Sequence, residues 1–384
     1  MSTSSANADR LFGLVVTIDA WSEACESVAS HGAPWASGAG AAIFAVLAAV
    51  RGLVADQRGV AKFLRAVGDA FVTADRRRGA TLLAQRFDRV SLFAGRWAMR
   101  HRTDQRAATL MRRAIIDVAH GKLLQFDPNG DGRVVEVLGD LATADHLGVL
   151  IPGMTNTADN YLSGERKKAA NLLLEMQKRA KAGETVAVVS WLGYDTPDFS
   201  LDGIWNGARR SDVAKVGAKD LGEDLKFIQA VNPRAQVTVI GHSYGSIVLG
   251  QAMRQGLLAT DAIAVGSPGM DANDRKDLGS PNVKLWAAHD RFRNIAVNET
   301  LPTVHIPFTK VNIHPGVVKI PIGPVPVDFV SDLPGHGEDP AADGFHANRF
   351  RAGKIKSHGG YFNKGTESLT NMALIATAQP PATT

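Results

Sequence analysis

Val237-Thr238-Val239-Ile240-Gly241-His242-Ser243-Tyr244-Gly245-Ser246-Ile247-Val248-Leu249-Gly250 joins a short β-branched run to an apolar, helix-like stretch through a Gly-x-Ser-x-Gly pentapeptide. In a chain with 38 glycines the pentapeptide alone carries little weight. Its flanks decide the reading. A buried strand at 237–240 and a helix from 246 on leave so tight a turn that the serine backbone is strained. Gly241 and Gly245 are then required, because neighbouring chains must pass close to both. Such a turn lifts Oγ of Ser243 clear of the sheet and points helix N–H groups toward it.

Outward from this turn, apolar strand candidates at 147–151, 186–190, 262–265 and 283–287 alternate with amphipathic stretches near 164–182, 218–231 and 247–256. Alternation of this kind predicts a mostly parallel sheet with helices on both faces. Ahead of it, Asp127-Pro128-Asn129-Gly130-Asp131-Gly132-Arg133 is a dense turn signal followed by an apolar run at 134–138. That segment imitates a calcium loop, but the twelfth position is Leu138, not a bidentate Glu, so a turn is expected. The Pro-, Gly- and Val-rich stretch 301–327 reads as an elaborated loop.

A serine hydroxyl needs a positioned base. In a fold of this kind the acid and the histidine follow the serine in that order. Asp290 lies just past the strand at 283–287 and is the expected acid, with Asp271 as runner-up. Among six histidines beyond Ser243, His358 precedes the last helix and is the expected base, with His336 as competitor. Two backbone donors should hold the developing negative charge. The N–H of Tyr244 follows the nucleophile, and Met154 (or Thr155) comes just after Ile151-Pro152-Gly153, where Gly153 permits a close turn. Met154, Trp205 and Tyr244 are expected to give the mouth an apolar lining.

Residues 1–122 read as helices joined by short breaks, an accessory module ahead of a catalytic domain at 123–384. Val60, Phe63, Leu64, Val67 and Phe71 fall at helical spacing on one apolar face, with Arg58, Arg65 and Asp69 off it. From Arg76 to Phe126 there are twelve Lys and Arg against three Asp and Glu, so the net +5 of the chain belongs to this segment. A patch of that sign is a candidate contact for a membrane or a secretion partner. Nucleic acid is not expected, since basic and aromatic residues do not interleave. The single Cys25 excludes an internal disulfide and a cysteine zinc site, and no phosphate loop or His-Glu-x-x-His helix occurs, so no cofactor or metal is expected. Met1 to Asp9 carries no basic start with an apolar core, so the expectation is a cytoplasmic protein or one exported without a conventional signal peptide.

Together with Trp191-Leu192-Gly193-Tyr194-Asp195-Thr196-Pro197, Gly266-Ser267-Pro268-Gly269, His336-Gly337-Glu338-Asp339-Pro340 and Ser357-His358-Gly359-Gly360-Tyr361-Phe362, these motifs resemble a predicted α/β-hydrolase family common in actinobacteria, once catalogued as a domain of unknown function. The resemblance runs from Phe126 to about Ile375. It implies an α/β-hydrolase fold and a Ser–Asp–His triad, and says little of substrate. The expected activity is cleavage of a carboxylic ester, small or lipid-like. An amidase or peptidase would use the same triad, and the rival is a catalytically silent effector or binding module whose basic helical half carries the function. The front helices resemble the helical-hairpin modules that precede type VII secretion effectors, although Trp35 is followed by Ala-Ser-Gly and not by a Trp-x-Gly turn.

Overall fold

The computed structural model describes residues 39–101, 103, 109, 122–198, 211–289, 336–355 and 357–384, with side chains of the first helix from residue 59 on except at 68, 71 and 98. Asp290, Trp205 and the 301–327 stretch lie outside the described residues. The described residues contain one eight-stranded sheet of order β1-β2-β4-β3-β5-β6-β7-β8. Its strands are β1 (Leu123–Asp127), β2 (Arg133–Gly139), β3 (His146–Ile151), β4 (Val186–Leu192), β5 (Gln236–His242), β6 (Asp261–Val265), β7 (Lys284–His289) and β8 (Asn348–Arg351). From β4 to β8 every neighbouring pair is parallel, while β2 runs antiparallel to both β1 and β4.

The centre of the sheet is apolar because it is covered on both faces. β3 and β6 are buried at every position, and β5 at all but Gln236. The turn-rich segment expected at 127–133 closes the β1–β2 hairpin, with Asp127 Oδ1 accepting from Asn129 N at 3.0 Å. β1 and β8 escape the pattern of alternating apolar runs. β8 reads Asn-Arg-Phe-Arg, and only Phe350 is buried in it.

The described residues also form five α-helices: α1 (Ala39–Arg100), α2 (Glu165–Arg179), α3 (Asp212–Val231), α4 (Gly245–Arg254) and α5 (Glu367–Ala376). On one face, Ala169, Leu172 and Met176 of α2 and Leu369, Met372 and Ala373 of α5 close over Leu150, Val188, Ile240 and Ile263. α4 is apolar around most of its circumference and buried from Gly245 to Met253. A buried carboxylate, Glu136 on β2, accepts from Tyr161 Oη at 2.9 Å and from Arg166 Nε at 2.9 and 3.0 Å, which joins β2 to the start of α2.

Two differences from the expected organisation have a plain physical cause. The front segment is one helix of 62 residues, without the expected breaks between 39 and 100. Its expected apolar face is not buried throughout: Phe63 is 66% exposed and Val60 48%, whereas Ala61 and Leu83 are buried. The compact units divide at Thr81 and Leu82, residues 229–234 joining the first. The second unit includes the end of α1 because Val90, Ala94 and Trp97 pack with Leu123, Phe126, Val134 and Leu192, the Trp97 ring edge-on to Phe126 at 6.2 Å.

A fragment starting at Leu82 should therefore melt cooperatively, and one starting at Gly121 should be less stable by about 3–5 kcal/mol, since it uncovers that apolar cluster. Thermal melts of the two fragments decide this. Equal midpoints would show that the end of α1 is not part of the sheet's packing.

Candidate active site

Ser243 sits between the end of β5 and the start of α4 with φ of 56°, a left-handed conformation unusual for a residue with a side chain. Hydrogen bonds hold it there: Ser243 N donates to Val265 O on β6 at 3.0 Å, and Ser246 N donates to Ser243 O at 2.9 Å. The flanking glycines are required by close approach. A Cβ on Gly245 would stand 2.5 Å from the carbonyl oxygen of Ile151 and 2.6 Å from that of Pro152. One on Gly241 would stand 2.6 Å from Gly245 O. The Gly-x-Ser-x-Gly pattern thus has a direct steric origin here.

The loop after β3 is pressed onto the serine. A Cβ on Gly153 would stand 2.7 Å from Ser243 Cβ and 3.1 Å from its Oγ. Side chains fix this loop in place. Tyr194 Oη donates to Pro152 O at 2.7 Å, and Asn156 Nδ2 donates to Gly153 O and Met154 O at 3.2 and 3.0 Å. Thr155 N donates to Pro197 O at 2.8 Å, so of the two donors considered in this loop Thr155 is engaged elsewhere. No hydrogen bond from Met154 N is found among the described residues.

His358 lies on the loop between β8 and α5, and its ring rests over the end of β6. A Cβ on Gly266, the residue after the carbonyl that receives Ser243 N–H, would stand 3.1 Å from His358 Cε1. His242, the residue before the serine, holds that loop. Its Nε2 donates to His358 O at 2.9 Å, and the two rings lie 4.9 Å apart at 33°. A carbonyl oxygen only accepts, so the proton of His242 is on Nε2. Asn171 Nδ2 on α2 donates to Phe362 O at 2.9 Å and anchors the same loop.

Residues 127–301 match the model of a family described as Alpha/beta hydrolase. With the strand order and the serine turn after β5, that settles the architecture. The fold is that of an α/β-hydrolase. An uncharacterized protein of Mycobacterium tuberculosis is 29% identical over 276 residues, covering 68% of this chain and 40% of its own length. A second, from Mycobacterium bovis, is 32% identical over 171 residues, covering 41% of this chain and 61% of its own. The chain thus spans about half the length of the curated relatives it matches. Among solved structures, a lidless a/b serine hydrolase from Xanthomonas campestris is similar over 43% of this chain and 70% of its own, at 18% identity and a TM-score of 0.27.

In this α/β-hydrolase fold the two runner-up residues find each other. His336 Nδ1 and Asp271 Oδ1 are 2.6 Å apart, the histidine buried and the aspartate half-buried, and Asp271 Oδ2 accepts from Gln251 Nε2. Burial raises the Asp271 carboxyl, but hydrogen bonds from His336, Ser211 and Gln251 outweigh it and the net shift is downward. The His336 ring stands edge-on to Tyr244 at 6.1 Å. Tyr244 itself is fully buried and stacked on Tyr194 at 6.4 Å, so its ring does not line a mouth as expected. Burial drives its hydroxyl well above the ordinary phenol range.

Sequence reading missed His242, Lys168 and Glu165. The Lys168 ammonium pairs with the buried Glu165 at 2.6 Å and lies 6.0 Å over the Phe362 ring. Desolvation, then the charge of Lys168, pulls His358 down to about 4 and His242 well below the usual imidazole value. A clue was available for Lys168: it follows Glu165 by three residues in the first turn of a helix beginning just beyond the Gly153 loop.

The imidazole of His358 should therefore titrate near pH 4 in the folded protein, against 6.5 when unfolded. Since the unfolded chain binds the proton first, His358's contribution to stability is full above about pH 6.5 and falls as pH drops toward 4. Two-dimensional NMR of the ring carbons reads this. A folded-state midpoint at 6 or above would contradict the buried setting.

Proposed function

We propose that the chain is a serine hydrolase that cleaves a carboxylic ester or related acyl bond, with Ser243 as nucleophile, His358 as base and Asp290 as acid. The observation that carries this reading is Ser243 at φ 56°, with Gly153 against its side chain and the His358 ring over the adjoining end of β6. Asp290 directly follows β7 in sequence. His358 takes the Ser243 proton as Oγ attacks the acyl carbon. The N–H groups of Met154 and Tyr244 receive the oxyanion, and His358 then gives its proton to the leaving group. Water, deprotonated by the same imidazole, hydrolyses the acyl-enzyme. The carboxylate of Asp290 orients the base and stabilises the imidazolium. His242 is a positioning residue, acting through the carbonyl and ring of His358. The low proton affinity of His358 keeps it neutral, and so able to accept a proton, throughout the neutral range.

A second reading rests on the Asp271–His336 pair, a ready-made carboxylate–imidazole couple beside Tyr244. In the first reading that pair instead braces Tyr244 from behind. The substrate is read as an ester, lipid-like by preference, and an amide or peptide bond is open to the same groups.

Ser243→Ala should abolish labelling by a fluorophosphonate probe and leave the melting temperature nearly unchanged. Labelling retained on another serine would reject the nucleophile.

His358→Ala should lower turnover of a short soluble ester by about a thousandfold or more, and Asp290→Asn by a similar order. His336→Ala should cost about tenfold or less if it only braces Tyr244. Inactivity of the His336 variant beside a mild His358 variant would transfer the base to the second pair.

A further inference from the structure

The C-terminal stretch of α1 is apolar on two opposite faces. Val90, Ala94 and Trp97 face the sheet. Away from the sheet Leu92 and Met99, and at the flank between the two faces Phe93, are 61%, 72% and 47% exposed, three of the seven large apolar side chains so exposed among the described residues. An exposed cluster of this size is not explained by packing within the unit. Arg89, Arg96 and Arg100, all exposed, are interleaved with these residues at spacings of three and four, so they share their side of the helix. Asp88, at the margin, is the one acidic residue of the stretch 82–100. Arg86 is not part of this surface: it reaches Asp224 at 3.8 Å and lies 4.5 Å over the Phe227 ring.

We propose that this outer face of α1 docks the protein on an anionic lipid bilayer, with Leu92, Phe93 and Met99 entering the interface and Arg89, Arg96 and Arg100 meeting lipid phosphates. A protein groove would match the apolar residues equally well. What selects the bilayer is the row of long cations placed between them. Arginine stems lie along apolar surface while their guanidinium groups reach the headgroup level. Attraction to an anionic leaflet adds with each such cation near its surface. The helix lies on the membrane and does not cross it, since no helix among the described residues is long and apolar enough to span. Docking of this kind brings a lipid-like ester to the sheet on which the end of α1 packs, but it does not depend on the catalytic assignment.

The test uses the full chain with sedimenting vesicles of phosphatidylcholine alone or mixed with phosphatidylglycerol. Binding to the mixed vesicles is expected, falling with added salt. The triple variant Arg89→Glu, Arg96→Glu, Arg100→Glu and the pair Leu92→Asp, Met99→Asp should each weaken it by about tenfold or more. The gentler Arg→Gln triple should weaken it less, with unchanged melting. Turnover of a short soluble ester, read on the same samples, should not change, which separates this inference from the hydrolase reading. Equal binding to both vesicle types, or unaltered binding by the charge-reversed variant, overturns the proposal. So does a dimer in solution that the Leu92→Asp, Met99→Asp pair dissociates, because the face would then belong to a second copy.

Discussion

Three strand ends meet where Gly245 passes the carbonyl oxygens of Ile151 and Pro152, at distances that exclude any side chain. The contact lets α4 begin directly beneath the loop that follows β3, and it brings Gly153 against Ser243. On the other side, Ser243 N–H is committed to Val265 O on β6. A left-handed serine is unfavourable by about 1–2 kcal/mol, and bonds on both sides maintain it. Register between β3, β5 and β6 is thus set by the same atoms that aim the serine. Little around Ser243 can shift without opening the sheet.

Most of this was legible in the sequence because it depends on local, steric facts. A β-branched run, two glycines and an apolar helix admit few arrangements, and the strand candidates around them fall within a residue or two of their places. What was not legible was decided by partners distant in sequence. β8 is a strand because Phe350 pairs beside β7 at an edge, which Asn-Arg-Phe-Arg does not announce. The unity of α1 from 39 to 100, where short breaks were expected, and the docking of its end on Phe126, depend on contacts that periodicity does not reveal. Asp271 and His336 were each found, but their pairing joins positions 65 apart.

The surroundings of His358 show how charge is managed in a largely desolvated setting. Its loop is tied to α2 through Asn171 and to β5 through His242, so two layers fix one ring. Lys168 stands near enough to disfavour a second positive charge, and is itself neutralised by a buried glutamate. Desolvation does the larger share. An imidazole held this way stays neutral at neutral pH, at the cost of weaker proton affinity.

Gly266 has no chemistry of its own, yet the His358 ring and the Tyr361 ring both rest where its side chain would be, each 3.1 Å from a Cβ placed there. Its φ of 56° is also one that side chains resist. The clearance for the imidazole is therefore set by an absent methyl on a neighbouring strand. A substitution at 266 would displace the His358 ring while leaving every side chain of the proposed triad unchanged. Positions of this type, where empty space is the functional element, escape any inventory made by side-chain chemistry.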